Sequence, residues 1–457
     1  MTQQFWYCFE PFKFDGRLLY CNGAAVDIQE REARILHLLI EAGQHGVPGG
    51  ELLNRVCGSR AHPDSLYGAV WRLRKLLRDA DSRQSIRRES AYIEREQQRY
   101  VFGRPIRVEY PPCAQSIHEY NIGLQRWNER EPDALWQAKD HFDLAVKRDP
   151  AFGAAYAARA DCYAILGSYS WIAPRTAAAK AKAAAKEALA FDDDLAQPHA
   201  TLGLVSSLFE RNWSSADVEF ARAIERDPKS GTARHWRAMF RAAIDDPWRA
   251  IEEIGVARGC EPNSRIIEAH AGAILYWSRQ FDAAEQHCER TIGFHPRFWY
   301  AHHLLGLVFE QQGRVEQALA KQRKAVECYE SASLREKDSP LLLSALARAY
   351  ALAGARREAL LELKRVRAAR TPALFHTATA YAALGEHAAA FHCLASACEQ
   401  RDVWTAFLAV DPRLDPLRAD PRFAALRAAL NLKTIGGKAH TKLRGRRLGE
   451  LLQRLEL

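Results

Sequence analysis

Apolar residues along the chain follow two kinds of spacing. Over residues 5–28 the short runs FWYCF, FKF, RLLYC and AAVDI are broken by Pro11, Gly16 and Asn22-Gly23, which predicts a meander of short strands. The spacing then becomes helical. In EREARILHLLIEAG the residues Ala33, Leu36, Leu39 and Ile40 form one stripe that ends at Gly43, and GGELLNRVCG predicts a second helix closing at Gly58. The stretch SLYGAVWRLRKLL, residues 65–77, puts Leu66, Val70, Leu73 and Leu77 on one face of a third helix, capped by Asp64 or Ser65. Its other faces carry Ser65, Tyr67, Trp71, Arg72, Arg74 and Lys75, an aromatic and basic set rather than a mixture of both signs. SAYIEREQQRYVF alternates as a hairpin, and Arg104-Pro105 marks the end of the unit.

Beyond this unit the pattern repeats. Turn signals Asp227-Pro228, Glu261-Pro262 and His295-Pro296 are spaced by 34 residues, and an earlier one stands at Asp149-Pro150. The larger first gap holds two units with an insertion at GSYSWIAPRTAAA, the missing turn lying near Asp193. Small residues recur at Ala160, Gly203, Ala238, Gly272 and Gly306, where paired helices must approach closely, and again at Ala216, Ala250, Ala284 and Ala318. A period of 34 with these internal positions resembles the tetratricopeptide repeat and predicts about eight helix pairs over residues 116–404. Each pair buries its apolar face only against its neighbours, giving a superhelix with an extended concave surface for protein segments. LDPLRADPRFAALRAALNL is expected to close the array, with Asp420 as helix cap, Pro421 at the first helical position and Leu426 and Leu430 packing back. Trp236, Trp277 and Trp299 stand at repeat positions and are expected in the core.

Strands, three helices and a hairpin describe a winged helix-turn-helix, and residues Gly16 to Val108 resemble the OmpR/PhoB-type DNA-binding domain. The resemblance is carried by ELLNRVCG in the second helix, WRLRKLL in the third, and the closing Tyr100-Val101-Phe102. Joined to the repeats, the chain is similar to the soluble invasion-regulator branch of bacterial transcription activators. The expected architecture is a winged-helix domain (1–106), a linker (107–115), an α-solenoid with its cap (116–430) and a basic tail (431–457). The resemblance implies a cytoplasmic regulator, an activator, binding double-stranded promoter DNA, with the third helix in the major groove and the wing at the adjacent minor groove. On that mapping Ser65, Ala69 and Arg72 face base edges or nearby backbone, Ala69 offering only a methyl contact and Arg72 a fork for guanine. Arg74 and Lys75 supply phosphate contacts, Trp71 packs against sugar or wing or meets protein, and Arg95 and Arg99 face DNA from the hairpin. RNA polymerase or another protein is the expected partner of the repeats. The hairpin departs from the family, having no glycine before Tyr100 and carrying Glu94 and Glu96, so a protein-interaction adaptor competes with the DNA reading.

Composition sharpens this only at the ends. The net charge of +9 divides into +3 over residues 1–110, from 17 Lys or Arg against 14 Asp or Glu, and +5 over 431–457, leaving +1 between. The tail is expected to be mostly disordered, the alternatives being nonspecific attraction to DNA or self-association through an amphipathic helix of Leu448, Leu451, Leu452 and Leu455. The ten cysteines form no C-x-x-C pair, and His287-Cys288 and His392-Cys393 are adjacent residues that point about 100° apart on a helix, so no metal or disulfide framework is expected. No run of about 18 apolar residues predicts a membrane span. The catalytic signatures G-x-S-x-G, H-E-x-x-H, the P-loop and a G-x-G-x-x-G after a strand are missing, so neither an enzyme nor a cofactor is expected.

Overall fold

The computed structural model describes residues 6–9, 11–59, 61–80, 92–96, 98–104, 107–109, 112–333, 338–369, 371 and 373–430. The chain divides into two compact units, 1–112 and 113–457.

In the first unit β1 (Trp6–Phe9), β2 (Phe12–Phe14), β3 (Leu19–Cys21) and β4 (Ala24–Val26) form an antiparallel meander. Alternation buries Phe9, Phe12, Phe14 and Leu19 on one face of it. Helices α1 (Glu30–Ala42), α2 (Gly49–Cys57) and α3 (Pro63–Ala80) follow. Strand β5 (Val47–Pro48) leads into α2, and β6 (Ile93–Glu96) with β7 (Arg99–Phe102) makes a hairpin in register Glu96↔Arg99; the three pair in the order β5-β7-β6. Helix α3 begins at Pro63, earlier than the expected cap, because proline suits the first helical turn where no amide partner exists. The turn between α1 and α2 needs Gly46: its φ is 59°, and a Cβ there would lie 2.6 Å from the Tyr100 carbonyl oxygen.

The expected linker is partly strand. Residues Arg107–Glu109 form β8, antiparallel to β1 in register Tyr7↔Val108, so the sheet order is β4-β3-β2-β1-β8 and the first unit runs past residue 106. The hairpin strand β7 ends at Phe102, and Arg107–Glu109 then add to the open edge of β1, whose unpaired amides and carbonyls offer a ready ladder.

The second unit is a stack of helix pairs. They are α4 (Ala114–Glu129) with α5 (Pro132–Arg148), α6 (Gly153–Ser168) with α7 (Pro174–Phe191), and α8 (Ala196–Leu204), extended by a π-helical turn Val205–Phe209, with α9 (Trp213–Arg226). Next come α10 (Gly231–Ala243) with α11 (Pro247–Cys260), α12 (Arg265–Trp277) with α13 (Phe281–Phe294), and α14 (Trp299–Gln311) with α15 (Val315–Ala332). The array ends with α16 (Pro340–Leu352) and α17 (Arg356–Ala368), α18 (Leu374–Ala383) and α19 (His387–Glu399), and a closing helix α20 (Pro421–Ala429) capped by Asp420. The small positions sit at the crossings: a Cβ on Gly203 would lie 2.9 Å from the Phe220 ring, and one on Gly272 2.9 Å from Cys288 Sγ. The insertion lengthens both helices of the second pair and sends Tyr169 and Trp171 inward, with ring centroids 5.5 Å from Trp299 and 6.3 Å from Tyr329 respectively.

The pairs are strongly layered. Twelve of the thirteen residues of α14 are buried, against three of thirteen in α17. A helix apolar and buried all round lies inside, and one buried on a single stripe forms an outer layer.

Candidate functional site

Two surfaces carry the chemistry anticipated from the sequence. The first is the outer face of α3. Leu66, Val70, Leu73 and Leu77 are buried and seat the helix on the first unit's core. Exposed on the other side are Ser65, Tyr67, Trp71, Arg72, Lys75 and Arg78; Tyr67 is 44% exposed and Trp71 60%. From Ser65 to Arg78 the helix holds four cations and no carboxylate. The β6-β7 hairpin adds Arg95, whose guanidinium lies 5.3 Å from the centre of the Tyr67 ring, while Lys75 Nζ lies 5.5 Å from that of Trp71.

Several residues expected at this surface are used elsewhere. Ala69 is 0% exposed and cannot present its methyl to a base edge: three residues after Leu66 and four before Leu73, it belongs to the apolar face. Arg72 Nε donates to Glu32 Oε1 at 2.7 Å, pairing with a carboxylate only 3% exposed. Arg74 Nε donates to the Ile93 carbonyl at 3.0 Å and so ties α3 to β6. Arg99 donates from Nε to the His45 carbonyl (2.8 Å) and from Nη2 to that of Gly46 (3.0 Å), holding the α1–α2 turn against the hairpin. Ser65, Trp71, Lys75 and Arg95 remain on the exposed face beside Arg72. No local sequence signal pairs Arg72 with a residue forty positions away.

The second surface is that of the solenoid, where the expected concave trough is filled. The inner helices bring Trp236, Tyr276, Trp277, Trp299 and Tyr300 together, and in the strap 402–417 residues 403–407 meet the ends of α6, the π-turn, α10 and α12 while residues 412–417 pack on α18. Trp404 Nε1 donates to the Ser168 carbonyl at 3.1 Å, Arg211 Nη2 to the Asp402 carbonyl at 2.9 Å, and Arg279 Nη2 to Asp415 Oδ1 at 2.8 Å. The rings of Trp277 and Phe407 stack at 4.2 Å. This strap leaves a cavity of about 50 Å³ between Tyr169, His235, His270, Tyr300 and Trp404, too small for more than a water or two. There His235 Nε2 lies 2.7 Å from His270 Nδ1, and Tyr300 Oη 3.1 Å from His270 Nε2. Burial lowers the His270 pKa to about 3, with the Arg130 charge adding to it, so both rings are neutral.

His287 and Cys288 do not make a ligand pair. His287 Nδ1 lies 2.7 Å from Glu268 Oε1, and although burial pushes Glu268 up, His287 and Arg258 hold its carboxyl at about 2. Cys288 Sγ lies under Gly272 in the helix crossing. Among the described residues no helix is long and apolar enough to cross a membrane.

No protein-family model matches the chain, and no curated protein matches it. Solved structures do. Yeast Tom70 aligns over 87% of this chain and 83% of its own at 12% identity and a TM-score of 0.41. A tetratricopeptide repeat protein from Parabacteroides merdae aligns over 60% and 100% at 13% identity and 0.38, and pilF of Pseudomonas aeruginosa over 45% and 92% at 19% identity and 0.33. At these scores the likeness is one of stacked helices, and the functional reading rests on the chain's own surfaces.

Proposed function

We infer that the chain is a non-catalytic interaction protein: the solenoid binds a protein partner, and the first unit, read as an OmpR/PhoB-like winged helix, contacts duplex DNA through α3 as part of transcription regulation. The observation that carries the DNA reading is the exposed face from Ser65 to Arg78, cationic and aromatic without a carboxylate, on a helix whose opposite face is anchored in a core. Phosphates attract such a face without regard to sequence, and a free guanidinium edge on Arg72 adds base readout. The contact set becomes Ser65, Trp71, Arg72 and Lys75 with Tyr67 and Arg95, and loses Ala69, which is buried, and Arg74 and Arg99, whose guanidinium groups hold α3 to β6 and the α1–α2 turn to the hairpin.

A second reading is favoured by Trp71 at the centre of the face and by Arg72, Arg74 and Arg99 being engaged within the unit: an adaptor whose first unit binds protein. Anisotropy of a labelled DNA duplex separates the two. Binding that weakens steeply between about 50 and 200 mM salt, with a slope reduced by roughly one for Lys75→Ala, supports the DNA reading. A folded protein that retains no duplex at low salt supports the adaptor. For the solenoid, in-cell photo-crosslinking from exposed outer positions such as Phe294 and Leu361 yields protein adducts if it is a binding unit, and none if it is a spacer.

A further inference from the structure

With the trough filled, a partner of the solenoid must dock on the outside. The geometry points to a groove of about 610 Å³ along α7 as the docking site for an acidic amphipathic helix of a partner protein. This rests on reading the solenoid as a protein-binding unit, and adds the partner's chemistry and the place.

The groove is cationic. Arg175, Lys182 and Lys186 lie along one face of α7, and Arg401, at the end of α19, closes the side. Lys182 is paired with Glu210 at 2.7 Å, and Arg175 Nη2 donates to the Glu399 carbonyl at 3.0 Å. Among the described residues neither Lys186 nor Arg401 has a carboxylate partner, and Glu210 is the one acid lining the groove. Four cations against one carboxylate, side by side, repel one another unless an anionic surface lies over them.

The floor is shaped for a helix. Ala179 and Ala183 are exposed one turn apart between the cations, and Ala178 and Phe209 close the bottom. Without bulk on this stripe another helix axis can approach to about 8 Å, the short end of helix packing. From Arg175 to Lys186 the face extends about 16 Å, three turns, which matches a partner helix of about 12 residues with carboxylates at i, i+4, i+7 and i+11. The chain's own residues 431–457, with seven Lys or Arg against two Asp or Glu, have the wrong sign to occupy it.

The test is a labelled 14-residue amphipathic helix with glutamates on one stripe, titrated by anisotropy into the full chain, wild type and Arg175→Glu/Lys186→Glu. Saturable, salt-sensitive binding that falls at least tenfold in the double variant is expected. A second variant, Ala183→Trp, fills the floor without changing charge and also loses binding; unchanged melting shows that both variants fold. A peptide of the same composition with its glutamates scattered over all faces binds at least fivefold more weakly. Equal binding to wild type and variants overturns the groove, as does no binding to the wild type. Loss of duplex DNA affinity in the double variant without peptide binding assigns the groove to nucleic acid and overturns it too. Crosslinks from positions 294 and 361 but not from 183 remove the groove while leaving the solenoid a protein binder; no crosslinks from any of the three remove that reading itself.

Discussion

Arg72 does two things at once, and this changes how its removal must be read. Its Nε donates to Glu32 Oε1, and the carboxylate's other oxygen, Oε2, is buried with no hydrogen-bond partner among the described residues. Arg72→Ala is therefore expected to lower the stability of the first unit by about 1–3 kcal/mol, in addition to any loss of DNA readout. Glu32→Gln added to Arg72→Ala should restore part of it, and a melting midpoint unmoved by Arg72→Ala would show the pair to be idle. Lys75→Ala, whose amine lies over the Trp71 ring at 5.5 Å and has no ion-pair partner among the described residues, is the clean probe of phosphate contact. A second residue-scale prediction concerns pH. His270 faces His235, Tyr300 and the charge of Arg130, and its folded pKa of about 3 lies below the ordinary 6.5. The unfolded chain then binds the proton first, so this contribution is complete above about pH 6.5 and is lost as pH falls toward 3, by up to about 1.4 kcal/mol per pH unit. Urea midpoints at pH 7, 6 and 5 should fall less steeply for His270→Gln than for wild type; parallel slopes would refute the assignment. In the sequence the histidines were isolated letters, since their contact arises only when α10, α12 and α14 stack.

At the scale of elements, legibility follows from how local the cause is. The stripe Leu66, Val70, Leu73 and Leu77 and the recurrence of Gly203, Gly272 and Gly306 are consequences of helix geometry within a few turns, so spacing reveals them. Ala69 was legible by the same spacing but its small side chain fits either face, and its burial follows only from its place between Leu66 and Leu73. Strand β8 was not legible, because three residues after a proline acquire their partner from β1, a hundred positions earlier. The glycines allow a sign test. Gly203→Ala gains helix propensity worth up to about 1 kcal/mol but places its methyl 2.9 Å from the Phe220 ring in a packed crossing, where overpacking costs about 1–3 kcal/mol, so a net loss is expected. Gly259→Ala, at an exposed position of α11 with nothing within 4 Å, should gain about 0.4–1 kcal/mol. Chemical denaturation of the two variants decides; a stabilising Gly203→Ala would mean that the crossing is looser than its geometry.

For the molecule as a whole, the question is whether residues 402–417 are a displaceable occupant of the solenoid or part of its core. Val403, Phe407 and Val410 are buried with the inner helices, whereas Leu408, Leu414 and Leu417 are buried with α18, α19 and α20. One short segment therefore contributes apolar side chains to two clusters, at about 1.5–3 kcal/mol of gross burial for each large one, and joins the inner helices to the closing pairs instead of lying on one surface. The strap is therefore core, and the stack behaves less like an open chain of repeats than like a closed body in which one segment touches several pairs. Repeat spacing could not disclose this, because the strap lies after the last pair and meets α6, α10 and α12 only through the curvature that the whole stack accumulates. Phe407→Ala removes the ring stacked on Trp277 and should cost about 3–5 kcal/mol. In a one-dimensional array that loss would loosen only neighbouring pairs. Here hydrogen exchange in Phe407→Ala should accelerate in α6, α10 and α12 together, 125 or more positions away in sequence; faster exchange confined to α18, α19 and the strap would identify it instead as a detachable ligand mimic, and would return the inner surface to the list of binding sites.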